Sequence, residues 1–339
     1  MTAQRLLNDG EVPAYLCERG LAASGEPVSV TAAGDGNINW VRRVSVGGKR
    51  ARSFVLKQAR PALERFPQYA APTERLLFEA RWLELAAPHD ADAICPRVLA
   101  LDAENRVLVL EDLSACERLD AALARELDVA ARMEALARLL ARVHAATARD
   151  EHLPARFEND AMRRLHGEHI FVLPYQPNDF GLTPRLEAAA RDARADAALV
   201  RAARDAYASY ARPTGALVHA DVQAGNVLLT PSGGVKLLDA EIAHVGDAAF
   251  DLGTLLAHLA LPALARDGNA AALQERVRAA YRDERACDAE TLARAQRYAG
   301  CELIRRTIGA ARVAAVARDE AGLRVLAAGR AWLLGGAIG

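Results

Sequence analysis

The apolar residues of this chain change their period once, near residue 113, and that switch restricts its possible folds more than any other feature. Before it, Val28 to Gln58 reads VSVTAA, GDGN, INWVRRVSV, GGKR and ARSFVLKQ, three β-rich runs separated by glycine turns, as in an antiparallel meander. Pro72 to Ala87 sets Leu76, Leu77, Trp82, Leu83 and Leu85 among charges, which predicts an amphipathic helix with Thr73 as its N-cap. PRVLALDAENRVLVLEDLS then adds two strands around a polar turn. Beyond it the spacing is helical, starting with VAARMEALARLLARVHAAT, and is interrupted only by LVHADVQAGNVLLTPSGGVKLLDAEIA, which reads as strand, loop, strand, turn, strand. The expected fold is α+β and bilobal: an N-terminal lobe over 1–113 with an antiparallel sheet and a helix, and a larger, mostly helical C-terminal lobe over 114–339. A chain of 339 residues is long enough to bury two cores.

Several partner classes are excluded by charge and pattern. A formal net charge of -1 offers no basic surface for nucleic acid or an anionic membrane. No apolar run is long enough to span a bilayer, and MTAQRLLNDGEVPAYLCERG mixes charges into its apolar pattern, unlike a signal peptide. Cys17, Cys95, Cys116, Cys287 and Cys301 are odd in number and scattered, so a reducing, cytoplasmic setting is expected. Of 43 basic residues only Lys49, Lys57 and Lys236 are lysines; where the chain otherwise writes Arg, a lysine suggests that a compact ammonium is wanted.

The polar loop between apolar strands carries the chemistry. His219-Ala220-Asp221-Val222-Gln223-Ala224-Gly225-Asn226 has the H-x-D-x-x-x-x-N spacing of kinases, in which a carboxylate deprotonates an acceptor hydroxyl and an amide oxygen ligates Mg²⁺. Asp221 and Asn226 fit those roles. Asp239 and Glu241 in LLDAE pair hard oxygens suited to Mg²⁺ bound to ATP phosphates. Lys57, in an otherwise apolar strand, needs an anionic partner, and phosphates would supply one. Glu79, midway along the following helix, is expected to hold that lysine; a solvated helix charge is the other reading. Gly34-Asp35-Gly36-Asn37 can bring backbone amides over phosphates, although such a segment is more often a plain hairpin turn. Glu111-Asp112-Leu113 ends the last strand of the first lobe, where Glu111 and Leu113 can offer backbone hydrogen bonds to adenine. Asp251, in FDLG, reads as a capping and loop-bracing carboxylate.

Taken in order, GDGN, VLKQ, EDLS, HADVQAGN and LLDAE resemble the aminoglycoside phosphotransferase and choline kinase superfamily. GDGNINWVRRV, VLKQARP followed by ERLLFEA, the D-x-E triplet, FDLG and CELIRRTIGAARVA are similar to its 5-methylthioribose kinase family, over about Gly34 to Leu334. The resemblance implies a protein-kinase-like fold, ATP and Mg²⁺ as cofactors, and transfer of the γ-phosphoryl group to the C1 hydroxyl of 5-methylthioribose. It further implies Asp221 as base against the substrate, Arg305 and Arg306 lining the substrate site, and a homodimer. In an Arg-rich chain the pair can also merely flank a helix. The family's catalytic loop usually resembles HGDLHTGS, whereas Gln223 and Asn226 stand here in place of its second His and its Ser. That departure leaves other small alcohols open as acceptors, among them aminoglycosides, choline and homoserine. A silent nucleotide-binding pseudokinase is the remaining alternative, against which stand Lys57, Asp221, Asn226 and Asp239. His169 to Asn178, apolar and aromatic, reads as a flap over the acceptor or as a packing loop.

Overall fold

The computed structural model describes residues 4–33, 39–48, 50–62 and 71–336. Gly34, Asp35, Gly36 and Asn37 lie outside the described residues. A short helix α1 (Val12–Glu18) leads into β1 (Val28–Ala32), β2 (Trp40–Val46) and β3 (Arg52–Gln58). Helix α2 (Arg75–Ala86), β4 (Val98–Asp102) and β5 (Val107–Glu111) follow. The five strands form one antiparallel sheet in the order β1-β2-β3-β5-β4.

Side-chain alternation sorts this sheet into two faces. Phe54, Leu56, Val107 and Val109 pack with Trp40, Tyr15 and Leu16 against α1. Leu108 and Leu110 point the other way, into the cluster containing Leu76 and Trp82 of α2. Lys57, opposite Leu108 in the ladder, is therefore carried on the α2 side of the sheet. Helix α2 begins one residue later than Thr73 suggested: its N-cap is Glu74, with no side-chain cap. The buried Arg75 organises the entrance instead, donating to the carbonyls of Arg60, Ala71 and Pro72.

After β5 the chain enters a second layer system, in which β6 (Glu117–Arg118) pairs with a strand more than a hundred residues later. Helices α3 (Leu119–Ala124), α4 (Ala130–Thr147), α5 (Leu153–Arg156), α6 (Asp160–Phe171), α7 (Pro184–Ala195) and α8 (Ala197–Tyr210) come first. Four short strands follow: β7 (Ala216–Val218), β8 (Val227–Leu229), β9 (Val235–Leu237) and β10 (His244–Gly246). Strand β8 lies between β6 and β9, and β7 pairs with β10. Helices α9 (Ala249–Ala265), α10 (Ala271–Glu284), α11 (Ala289–Ile308) and α12 (Asp319–Leu333) complete the lobe. Gly253 of FDLG permits α9 to press on α11, since a Cβ there would run into the Ala295 carbonyl. The result is the expected α+β, two-lobed architecture. Among the described residues no helix is long and apolar enough to cross a membrane.

Candidate active site

Strand β3, helix α2 and the loop after β9 meet at Lys57. Its Nζ lies 2.7 Å from Glu79 Oε2, 2.6 Å from Asp239 Oδ1 and 2.6 Å from Glu241 Oε1. Burial alone would depress this ammonium, but Asp239, Glu241 and Glu79 outweigh it and hold the lysine charged well above its ordinary range. Three carboxylates around one ammonium leave surplus negative charge. Burial lifts Glu79, the deepest of them, to about 7 in spite of Lys57. Ligand oxygens of Glu79, Asp239 and Glu241 all lie within 4.8 Å of one another, a hard-oxygen set that suits a divalent cation. Asp239, with half its side chain exposed, faces the cleft. Glu241 is buried and held by Asn39 and, at 3.5 Å, by Arg75.

The loop between β7 and β8 presents Asp221. It follows Ala220, at φ 67°, and Asp239 itself sits at φ 66°, so left-handed backbone flanks the cleft twice. Asp251 of α9 sustains the first: its carboxylate accepts from His219 N at 2.7 Å and Ala220 N at 2.8 Å. His144 Nε2 lies 3.0 Å from the same carboxylate, and its Nδ1 meets the Tyr281 hydroxyl. Asp251 thus braces the loop; it does not cap α9, which has no side-chain cap. Asn226 Nδ2 donates to Asp221 Oδ2 at 2.7 Å and to its carbonyl at 3.0 Å, turning the Asn226 amide oxygen away. Burial raises Asp221 to about 6, with Asp239 adding to the shift and Arg305, Arg306 and Asn226 opposing it.

Arg305 and Arg306, in the last turn of α11, reach this aspartate electrostatically. Between them sits Glu302, buried, accepting from Arg305 Nη1 at 3.0 Å and Arg306 Nε at 2.6 Å, with His258 Nε2 at 3.0 Å. Sequence reasoning missed Glu302, although its i,i+3 and i,i+4 spacing to the arginines was a readable helical signal. It singled out Gln223 only as a departure from the family's loop, not as the side chain that spans Arg306 and Asp221.

Glu111 uses its carboxylate on Lys236 Nζ at 2.6 Å, so the third lysine, on β9, ties that strand to the end of β5. The Leu113 carbonyl accepts from Cys116 N in the connection between the lobes. Within His169–Asn178 the aromatic side chains pack inward: Phe171 and Tyr175 are buried, and Phe171 stacks on Tyr207.

The profile of the phosphotransferase enzyme family (APH) matches residues 29–289. A methylthioribose kinase from Bacillus cereus is 28% identical over 317 aligned residues, covering 83% of this chain and 79% of that protein. Among solved structures, a choline kinase from Streptococcus pneumoniae superimposes with a TM-score of 0.52 at 14% identity, over 95% of this chain and 99% of that one. An aminoglycoside phosphotransferase from Alicyclobacillus acidocaldarius gives 0.52 at 16% identity, over 98% and 96%. These two likenesses concern the fold.

Proposed function

This chain belongs to the phosphotransferase enzyme family, and from that premise we propose that it transfers the γ-phosphoryl group of ATP to a hydroxyl of a small molecule, 5-methylthioribose. The observation that carries this reading is the convergence on one cleft of Lys57, the Asp239–Glu241 pair and Asp221. Asp221 is the base that orients and deprotonates the acceptor hydroxyl. Lys57, held by Glu79, turns its ammonium to the nucleotide phosphates, and Glu111 and Leu113 offer backbone groups to adenine. Asn226, Asp239 and Glu241 would hold Mg²⁺, which when bound neutralises charge on the phosphate oxygens. Gly34, Asp35, Gly36 and Asn37 remain the expected cover for the phosphates. Arg305 and Arg306 supply fixed positive charge on the acceptor side.

The division of labour follows the lobes, with nucleotide groups from 1–113 and catalytic and acceptor groups from 114–339. The five cysteines, all free, suit a reducing cytoplasm, and a homodimer belongs to the same reading. The choice of 5-methylthioribose is supported by the Bacillus cereus relative, which aligns over most of both chains. Gln223 and Asn226, atypical of that branch, favour a second reading in which the acceptor is another small alcohol.

A coupled ADP-release assay with Mg²⁺-ATP and 5-methylthioribose, ribose, choline, homoserine or kanamycin tests both. Turnover confined to 5-methylthioribose is the expected result. Turnover only with a different alcohol would replace the substrate and keep the chemistry, and silence with every acceptor would overturn the kinase reading.

A further inference from the structure

The two adjacent arginines at the end of α11 are not equivalent. Every nitrogen of Arg306 is committed within the protein: Nε to Glu302 at 2.6 Å, Nη1 to the Ala311 carbonyl at 3.5 Å, and Nη2 to Gln223 Oε1 at 2.5 Å. Arg305 spends Nη1 on Glu302, while its buried Nε has no hydrogen-bond partner among the described residues. A guanidinium can only donate, so the Gln223 amide must turn its oxygen to Arg306 and its Nε2 the other way. That Nε2 lies 3.2 Å from Asp221 Oδ2, the oxygen that already accepts from Asn226 at 2.7 Å. Two amide donors thus occupy Oδ2, and none meets Oδ1 among the described residues.

We propose that Gln223 is a positioning residue: it couples Arg306 to Asp221, fixes Oδ1 as the proton-accepting atom, and leaves Arg305 as the member of the pair that addresses the acceptor. Arg306 then acts on the reaction through Gln223. The inference rests on the kinase reading. It assigns the departure at position 223 a task, because an amide can accept from an arginine and donate to a carboxylate at the same time, without adding charge beside the base.

The test is a kinetic double-mutant cycle on the full chain, using Gln223→Leu, Arg306→Lys and their combination, with Arg305→Lys alongside. Gln223→Glu serves as an isosteric second variant, which can still accept from Arg306 but cannot donate to Asp221. Circular dichroism and thermal melts identify the folded variants. Gln223→Leu and Gln223→Glu are expected to lower kcat by roughly 10-fold to 100-fold, through loss of orientation, with acceptor KM within about threefold. Arg306→Lys should reproduce that split, and the double variant should be no slower than the worse single one. Arg305→Lys should instead raise acceptor KM by roughly 10-fold, since an ammonium cannot replace a planar donor fork. Multiplicative losses in the double variant, or equal KM increases for Arg305→Lys and Arg306→Lys, overturn the inference while leaving the kinase reading intact. A folded wild type inactive toward every acceptor overturns both.

Discussion

Asp221 combines two properties that a general base needs: fixed orientation and a proton affinity lifted toward neutrality. Asp221→Asn keeps the size and removes the proton acceptor, so turnover should fall about 1,000-fold while Mg²⁺-ATP affinity, read by calorimetry, stays within about threefold. Turnover equal to wild type would dismiss Asp221 as base. Because burial raises this carboxyl to about 6, it is ionised above that pH and protonated below it. A pH profile of kcat/KM for the acceptor at saturating Mg²⁺-ATP should accordingly level off above pH 7 and lose about tenfold per unit below pH 6. Lys57 makes a second test at this scale. Lys57→Met strands Glu79, Asp239 and Glu241 together, which should cost about 3–5 kcal/mol in the presence of a chelator, with part of the loss restored by Mg²⁺. Denaturant titrations with EDTA and with Mg²⁺ would read both, and an unchanged midpoint in EDTA would show that the three carboxylates do not need the ammonium.

Among the elements, α9 does more than fill the core, because its Asp251 accepts two buried amide protons from the loop that carries Asp221. Asp251→Ala leaves both N–H groups without partners, at about 1–3 kcal/mol each. A lower unfolding midpoint together with a kcat loss larger than any change in KM for ATP is expected; wild-type kcat in a folded variant would separate the brace from catalysis. Much of this layer was legible in the sequence. The five strands of the first sheet and α4 follow from period and turn chemistry, and H-x-D-x-x-x-x-N with D-x-E identified the polar loop and the carboxylates now found beside Lys57. Strand β10 was not legible, since His244 and Gly246 look like loop residues until β7 supplies their partners. The start of α2 was read to within one residue, and the shift from Thr73 to Glu74 accompanies tertiary contacts of Arg75 that override local cap preference. The Gln223–Arg306 bond joins residues 83 apart, and no local pattern encodes it.

At the scale of the whole molecule, the two lobes are joined by charge as well as by chain: Lys57 to Asp239 and Glu241, Arg75 to Glu241, and Lys236 to Glu111. Acid should therefore weaken the fold, and the direction can be worked out group by group. Burial depresses His219 and His244 to about 4, and it also lowers His166 and His258. An unfolded histidine takes its proton near pH 6.5, so between 6.5 and about 4 the unfolded chain binds more protons at these sites and stability falls as pH falls. Asp221 and Glu79 work in the opposite sense, because their raised values let the folded chain take up protons first. The depressed imidazoles outnumber them. Stability should thus drop by at least about 1.4 kcal/mol per pH unit between pH 6 and 5, one net proton's worth. Below pH 4 the loss should continue as Asp251 and Glu302, held below their ordinary range by His144 and by the two arginines against their burial, are protonated in turn. Urea midpoints at pH 7, 6 and 5 would measure the slope. A midpoint that rose on acidification would mean that the raised carboxyls of Glu79 and Asp221, not the buried histidines, dominate the proton balance of the fold.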